Sequence, residues 1–403
     1  MSDNTDFERV LQDIREGRFV IVIDEEGPHT TGDLIVAAEH AGPDEINFMM
    51  QHAHGLLCVA MTGDRLDSLG LPLMVADGWD EMDHPQFTIS VDAKGVSATD
   101  SAAGRAAAVR ALIDDDTQPG DLRRPGHIFP TRAVDGGVLK RAGHTEAAVD
   151  LARLAGQKPA GVTCQIIGRD GTPASAEELA EFGWEYEIRV VSLADIIEYR
   201  RRNEELITRE VEAALPTAYG DFRVVVFRSR VDASEYVAMV KGDIATCEAP
   251  LVRVHSGCVT GDILGSLKCD CGNQLHGALC MIEESGCGVL LYIAGHEGRG
   301  IGLTNKIKAY HLQDNGMDTV EANEALGFPA DMRDYGIGAQ VLFHLGVRKM
   351  RLLTNNPKKM SALAGYGLEV VERVPIQVEP NRFSERYLCT KRDKMGHMLD
   401  NLD

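Results

Sequence analysis

The sequence lacks an excess of positive charge: 41 Lys and Arg stand against 62 Asp and Glu, a formal balance of −21. A chain this acidic is a poor match for the phosphate backbone of a nucleic acid, which is bound by releasing counterions onto Lys and Arg. A small phosphorylated ligand is not excluded, because a local basic pocket can sit on an acidic protein. The chain also lacks any apolar run of roughly 18 residues, which excludes a membrane-spanning helix of ordinary length. Its start, Met1 to Asp6, is acidic and polar, without the basic and apolar stretches of a secretory signal. There is no internal repeat and no low-complexity tract. What remains is ordinary for a globular protein: 44% hydrophobic residues in 403. That length suits two domains at roughly 150 to 200 residues each. Nine cysteines without an extracellular signal point to a reducing compartment, so a cytoplasmic protein is expected.

Hydrophobic patterning predicts an α/β chain of the α+β kind, with two mixed α/β domains. The β-branched run Arg18 to Asp24 reads as a buried strand. Strands are also predicted over 55–61 and 87–91, and a helix over 145–154. Residues 192–209 read as one polar helix, whose charged tail marks a boundary near residue 205. A second α/β region is expected from Phe222, with strands over 222–227, 288–293 and 350–353. A helix over 303–314 carries Leu303, Ile307 and Tyr310 at helical spacing. The expected domains are residues 1–205 and 206–403.

The most informative cluster is Cys258, Cys269 and Cys271, within RVHSGCVTGDILGSLKCDCG. Thiolates bind Zn²⁺ strongly, and three protein ligands leave one position open for water or substrate, as in catalytic zinc sites. Polar Lys268 and Asp270 interleave the last two cysteines, which argues against thiols merely packed in a core. Four clusters accompany them. GHEGRGIGL, residues 295–303, follows a predicted strand and leads into a helix. Its glycines let backbone approach a phosphate, and Arg299 adds a bidentate charge. DMRDY sets Asp331 two residues before Arg333, LTNNPKK carries Thr354 and Lys359, and KIKAY carries Tyr310. Singly, each also reads as a turn, a surface ion pair, a solvated lysine loop or a core aromatic. Their order and spacing are what make them specific.

In that order, and together with DTVEAN, the clusters closely resemble the GTP cyclohydrolase II family over about residues 208–397. The resemblance implies a zinc enzyme that opens the guanine ring of GTP, releasing formate and pyrophosphate and leaving a diaminopyrimidinone ribosyl phosphate. It implies Cys258, Cys269 and Cys271 as ligands of one Zn²⁺ in the C-terminal domain, and Mg²⁺ with the triphosphate. Asp331 matches the family's general acid/base, Arg333 the group proposed to attack the α-phosphate, and Tyr310 a tyrosine near the reacting base. Nucleotide contacts map onto Arg253, Val254, His255, Ser256, Gln274, Glu297, Gly298, Arg299, Thr319, Thr354 and Lys359. A guanidinium is almost always protonated, so clamping of phosphate competes with nucleophilic attack as the role of Arg333. Two positions depart from the family. Gly257 stands where a glutamate usually precedes the first zinc ligand, and Ala294 where an arginine usually precedes the Gly-rich motif. Tolerated drift on a working enzyme is the expectation, set against slower turnover of GTP or a changed substrate or product.

Residues 6 to about 203 resemble 3,4-dihydroxy-2-butanone 4-phosphate synthase through VIDEE, GDLI, LRRPGHIFP, GGVLKRAGHTEAAVDL and AGQKPAGV. That family converts ribulose 5-phosphate to the four-carbon phosphate and formate with Mg²⁺. Asp33, Cys58, Arg141, His144 and Thr145 match its active-site positions. The loop after the first strand departs from it: Pro28, His29, Thr30 and Thr31 replace Arg-Glu-Asn-Glu. Gln165 replaces a glutamate, His54 a serine and Gly104 an aspartate. Mg²⁺ is usually anchored by carboxylates, which Thr31 cannot supply. The first half is therefore expected to lack synthase activity and to serve as the scaffold of a homodimer. The alternatives are a fully bifunctional enzyme, a variant cyclohydrolase of specialised metabolism, and a non-catalytic nucleotide-binding paralogue. A sharper reading assembles His29, His52 and His54 into a new transition-metal site.

Overall fold

The computed structural model describes residues 3–25, 30–75, 85–328, 333, 335–356, 367–376, 378, 380–381, 383–393 and 398. The chain divides into two compact units, Met1–Glu204 and Glu205–Asp403.

The first unit is built on β1 (Val20–Asp24), β2 (Thr31–Ala37), β3 (His54–Thr62), β4 (Gln86–Phe87), β5 (Val91–Ala93), β6 (Leu122–Ala133), β7 (Ala160–Ile166) and β8 (Arg189–Ser192). Their order is β4-β6-β3-β7-β2-β1-β8, with β5 paired to β6 off that path. Strand alternation sorts side chains onto two faces. Leu34, Val36, Leu57 and Val59 enter one core with the helix Ala102–Ile113. Val22, Ile35, Ala37 and Ala60 enter another with the helices Asp3–Arg15 and His144–Leu154. The strand expected over 87–91 is instead two short ones, β4 and β5. After Phe87 pairs with Thr131, the next position on β6 is Pro130, which has no N–H to continue the ladder.

The helix expected over 192–209 stops at Asn203. Ser192 caps it, accepting from the Asp195 N–H at 3.1 Å. Ile207 is 1% exposed and belongs to the core of the second unit, so the chain turns there into a strand. The second unit thus begins well before Phe222. It contains β9 (Ile207–Thr217), β10 (Gly220–Ser229), β11 (Glu235–Lys241), β12 (Leu251–Ser256), β13 (Gly288–Ile293), β14 (Lys349–Leu353) and β15 (Glu369–Val374). The sheet order is β15-β14-β12-β13-β11-β10-β9. β12, β13, β14 and β15 run parallel, whereas β9, β10 and β11 are antiparallel additions. Ligands of such sheets gather beyond the carboxyl ends of the parallel strands. Among the described residues no helix is long and apolar enough to cross a membrane.

Candidate active site

Three parallel strands deliver the sequence clusters to one place. β12 ends at Ser256 before the first cysteine, β13 at Ile293 before the Gly-rich motif, and β14 at Leu353 before Thr354. Between these ends lies a cleft of about 1080 Å³ of empty space, counting the part open to solvent. That is the scale of a nucleotide-sized site. Alternation along β12 turns Arg253 and His255 to the cleft. Val254, expected among the nucleotide contacts, turns the other way and packs with Val289 and Leu291 in the core. After β13 the chain takes left-handed backbone at Gly298 (φ 60°), Arg299 (φ 69°) and Gly300 (φ 95°), the conformation that glycine tolerates best. Gly298 and Arg299 both line the cleft.

The three cysteines meet there. Their Sγ atoms all lie within 4.8 Å of one another, and the Cys258 and Cys269 sulfurs are 3.8 Å apart. Sulfurs about 2.3 Å from one tetrahedral Zn²⁺ would stand about 3.8 Å from each other, so the donor set fits that ion. Gly261 makes the room: a Cβ there would come within 2.8 Å of Cys269 Sγ and 3.1 Å of Cys258 Sγ. The loop is braced from behind by Asp262. Its carboxylate accepts from the Cys258 N–H at 2.9 Å and the Tyr292 hydroxyl at 3.1 Å, and it meets His255 Nε2 at 3.1 Å. Such outer contacts orient metal ligands.

Lys306, not singled out by the sequence reading, reaches this cluster from the helix Gly302–Asp314. Its Nζ donates to Glu297 Oε1 at 2.6 Å, Thr260 Oγ1 at 2.8 Å and Cys258 Sγ at 3.0 Å. Hydrogen bonds from Cys269 and Cys271, with help from Lys306, hold the Cys258 thiol well below its ordinary pKa. Glu297, expected to touch nucleotide, accepts from Lys306 and, at 2.5 Å, from the Val259 N–H, and so pins the cysteine loop. On the same helix Leu303 and Ile307 are 42% and 48% exposed, so the apolar spacing in the sequence marks a surface stripe. Tyr310 lines the cleft; its hydroxyl is 3.3 Å from Thr260 Oγ1, and burial pushes its pKa up to about 12.

Ser256, Gln274, Thr319, Arg333 and Thr354 share the cleft wall with Arg253 and Arg299. Arg333 Nη1 donates to Ser256 Oγ at 3.3 Å. Asp331 and Lys359 lie outside the described residues. The two departures from the family prove to be neighbours. A Cβ on Gly257 would stand 3.1 Å from the Ala294 Cα and 3.0 Å from both the Ile293 carbonyl oxygen and the Tyr292 hydroxyl.

In the first unit, Asp33, Cys58 and His144 also converge. Asp33 on β2 is in register with Gln165 on β7, and Cys58 on β3 with Thr163. Burial pushes the Asp33 carboxyl above the ordinary range, against His144 and a hydrogen bond from Thr163. Burial likewise raises the Cys58 thiol. His144 opens the helix His144–Leu154 with a buried Nε2 that lacks a hydrogen-bond partner. Thr145 is buried beside it, and Arg141 Nη1 is 3.2 Å from the fully buried Glu146. At Gly104 a Cβ would meet the Ala98 carbonyl oxygen at 2.1 Å, so this backbone has no room for the family's aspartate. His52 packs on Phe48 with its Nδ1 3.1 Å from the Tyr186 hydroxyl, and His54 is exposed. His29 lies outside the described residues. Among the described residues, the three cysteines of the second unit are the one group of three potential metal ligands.

Fold and site together define an α/β protein with a thiolate metal cradle facing a cationic cleft. Residues 208–375 match the GTP cyclohydrolase II family model, and residues 8–199 the 3,4-dihydroxy-2-butanone 4-phosphate synthase model. The riboflavin biosynthesis protein RibBA of Chlorobium phaeovibrioides is 53% identical over 394 residues, covering 97% of this chain and 96% of its own. The protein of the same name from Nocardia farcinica is 53% identical over 399 residues, covering 98% and 96%. Among solved structures, RibBX, a two-domain 3,4-dihydroxy-2-butanone 4-phosphate synthase from A. baumannii, covers 91% of this chain with TM-score 0.69 and 36% identity. The chain belongs to the family of two-domain riboflavin biosynthesis proteins.

Proposed function

We propose that the second half is a zinc-dependent GTP cyclohydrolase II that releases formate and pyrophosphate from GTP. The observation that carries this reading is the cradle of three sulfurs opening onto a cleft walled by Arg253, Arg299 and Arg333. When bound, Zn²⁺ supplies Lewis acidity and brings the pKa of a water at its open position to about 7. The chain's own residues do the rest. Lys306 holds the charge of the Cys258 thiolate, and Asp262 and Glu297 fix the loop that carries it. Tyr310, kept protonated by burial, offers a hydroxyl donor beside the sulfurs. The arginines are fixed positive charges for the triphosphate, and Arg333 is oriented by Ser256. Mg²⁺ would accompany the triphosphate rather than the protein.

For the first half, the comparisons favour a fully bifunctional chain, also making the four-carbon phosphate from ribulose 5-phosphate, over the inactive frame expected from its loop. Relatives matching nearly end to end are riboflavin biosynthesis proteins, and both family models match. The opposing observation is chemical. The described residues of this half do not gather a carboxylate set fit for Mg²⁺, and Thr31 and Gln165 are uncharged. Purified protein incubated with GTP, and separately with ribulose 5-phosphate and Mg²⁺, tests both halves by product mass. Formate and pyrophosphate from GTP support the first assignment, and their absence ends it. Butanone phosphate from the pentose phosphate supports bifunctionality, and its absence returns the first half to a scaffold.

A further inference from the structure

The helix Glu385–Asp393 lies beyond the stretch matched by the GTP cyclohydrolase II family model, which ends at residue 375. It packs against the helix Thr319–Ala325 and turns Tyr387 and Lys391 to the cleft. Lys391 Nζ donates to Asp270 Oδ1 at 2.8 Å, with the two side chains only 12% and 5% exposed. The ammonium also lies 4.4 Å from the centre of the Tyr387 ring. Asp270 sits between Cys269 and Cys271, at the start of the helix Cys271–Ser285. Its second oxygen accepts from Gln274 Nε2 at 2.6 Å. Gln274 Oε1 in turn accepts from Arg253 Nη2 at 2.6 Å, and Arg253 Nη1 donates to the Leu353 carbonyl at 2.9 Å. A continuous run of hydrogen bonds therefore joins this helix to β12.

Each bond fixes the direction of the next. An ammonium can only donate, so it takes a carboxylate oxygen. Gln274 must then give its NH₂ to the other oxygen and turn its carbonyl to Arg253. That leaves the Arg253 Nε buried and without a partner, on a residue of the cleft wall. Without Lys391, Asp270 would be a buried carboxylate deprived of its cation, which is costly. The nearest replacement is Arg253, one side chain away through Gln274. The guanidinium would be drawn inward, off the cleft wall.

We propose that Lys391 is a positioning residue of the nucleotide site: by holding Asp270 it keeps Gln274 and Arg253 turned toward a bound purine nucleoside triphosphate. This rests on the cyclohydrolase reading above. The test uses the full zinc-loaded chain and steady-state kinetics with GTP, comparing wild type, Lys391→Met and Lys391→Arg. In Lys391→Met the KM for GTP rises by about tenfold or more, kcat falls less, and zinc content stays at the wild-type level. Lys391→Arg, which can grip the carboxylate with two N–H groups, recovers most of the lost KM. An unchanged KM in Lys391→Met, beside an active wild type, overturns the inference and leaves the cyclohydrolase reading standing. Zinc lost in step with activity also overturns it, in favour of a purely structural role in the metal loop. A wild type that neither binds nor turns over GTP overturns the cyclohydrolase reading and the inference with it. If Lys391→Met does not fold, Lys391→Gln, which keeps a donor but no charge, is held to the same KM criterion.

Discussion

Each half of the molecule sets an aspartate at the heart of its cluster, Asp270 buried and Asp33 half-buried, and the two are treated in opposite ways. Burial pushes both carboxyls up, but at Asp270 the Lys391 ammonium, a backbone hydrogen bond and Arg253 together outweigh it and hold the acid below its ordinary range. At Asp33 burial wins over His144 and Thr163, and the acid is pushed above that range. The difference lies in the cation. The second half brings a lysine to Asp270 from a distant helix and another, Lys306, to Cys258 and Glu297. In the first half, Arg141 pairs with Glu146 and Arg200 with Asp150, whereas Asp33 is faced by His144 and Thr163.

The comparison can be broken most forcefully at Lys306. Lys306→Met leaves Glu297 a buried charge without its cation, and such broken pairs cost about 3–5 kcal/mol. Hydrogen exchange followed by mass spectrometry should show faster exchange in the second unit and an unchanged first unit; equal protection in both proteins would mean the pair holds nothing. A smaller effect is expected at Gly104. Gly104→Asp forces a Cβ against the Ala98 carbonyl, and overpacking of this kind costs about 1–3 kcal/mol. The first unit should lose protection, and an unchanged unit would show that the backbone there yields freely. The smallest change sharpens the comparison. Asp33→Asn removes a half-buried acid with a raised pKa and should stabilise the first unit slightly at pH 7. The sign follows from linkage: with its folded pKa above its unfolded one, Asp33 costs stability as pH rises from the ordinary carboxylate range through the raised value. Asp270 does the reverse: its contribution is present above the ordinary range and is lost as pH falls through the depressed value. A pH series on wild type and Asp33→Asn should show a flatter slope in the variant, and identical slopes would contradict the assignment.

Much of the site was legible in the sequence because its chemistry is local. Cysteines at fixed spacing, a glycine run and arginines after strands carry their meaning in a short window, and the structure brings Cys258, Arg253, Tyr310 and Arg333 to one cleft. What was missed depends on long-range partners. Lys306 and Lys391 look like solvated lysines until Cys258 and Asp270, 48 and 121 residues away, are placed against them. The core-facing side chain of Val254 follows from strand alternation, which sends neighbours to opposite faces. The run over 192–209 misled because Ile207 leaves the helix for the core of the next unit. Gly104 and Gly257 are visible in the sequence as departures, but only the packing shows which substitutions their backbones would resist.

The central claim is that Cys258, Cys269 and Cys271 hold a zinc ion on which the opening of GTP depends. The most direct measurement is metal content and formate release from GTP on the same thiol-reduced samples of wild type and Cys269→Ser. One zinc per chain in the wild type, with metal and formate release both lost in the variant, is the predicted result. A metal-free wild type that still releases formate, or a variant that keeps the activity, would contradict it.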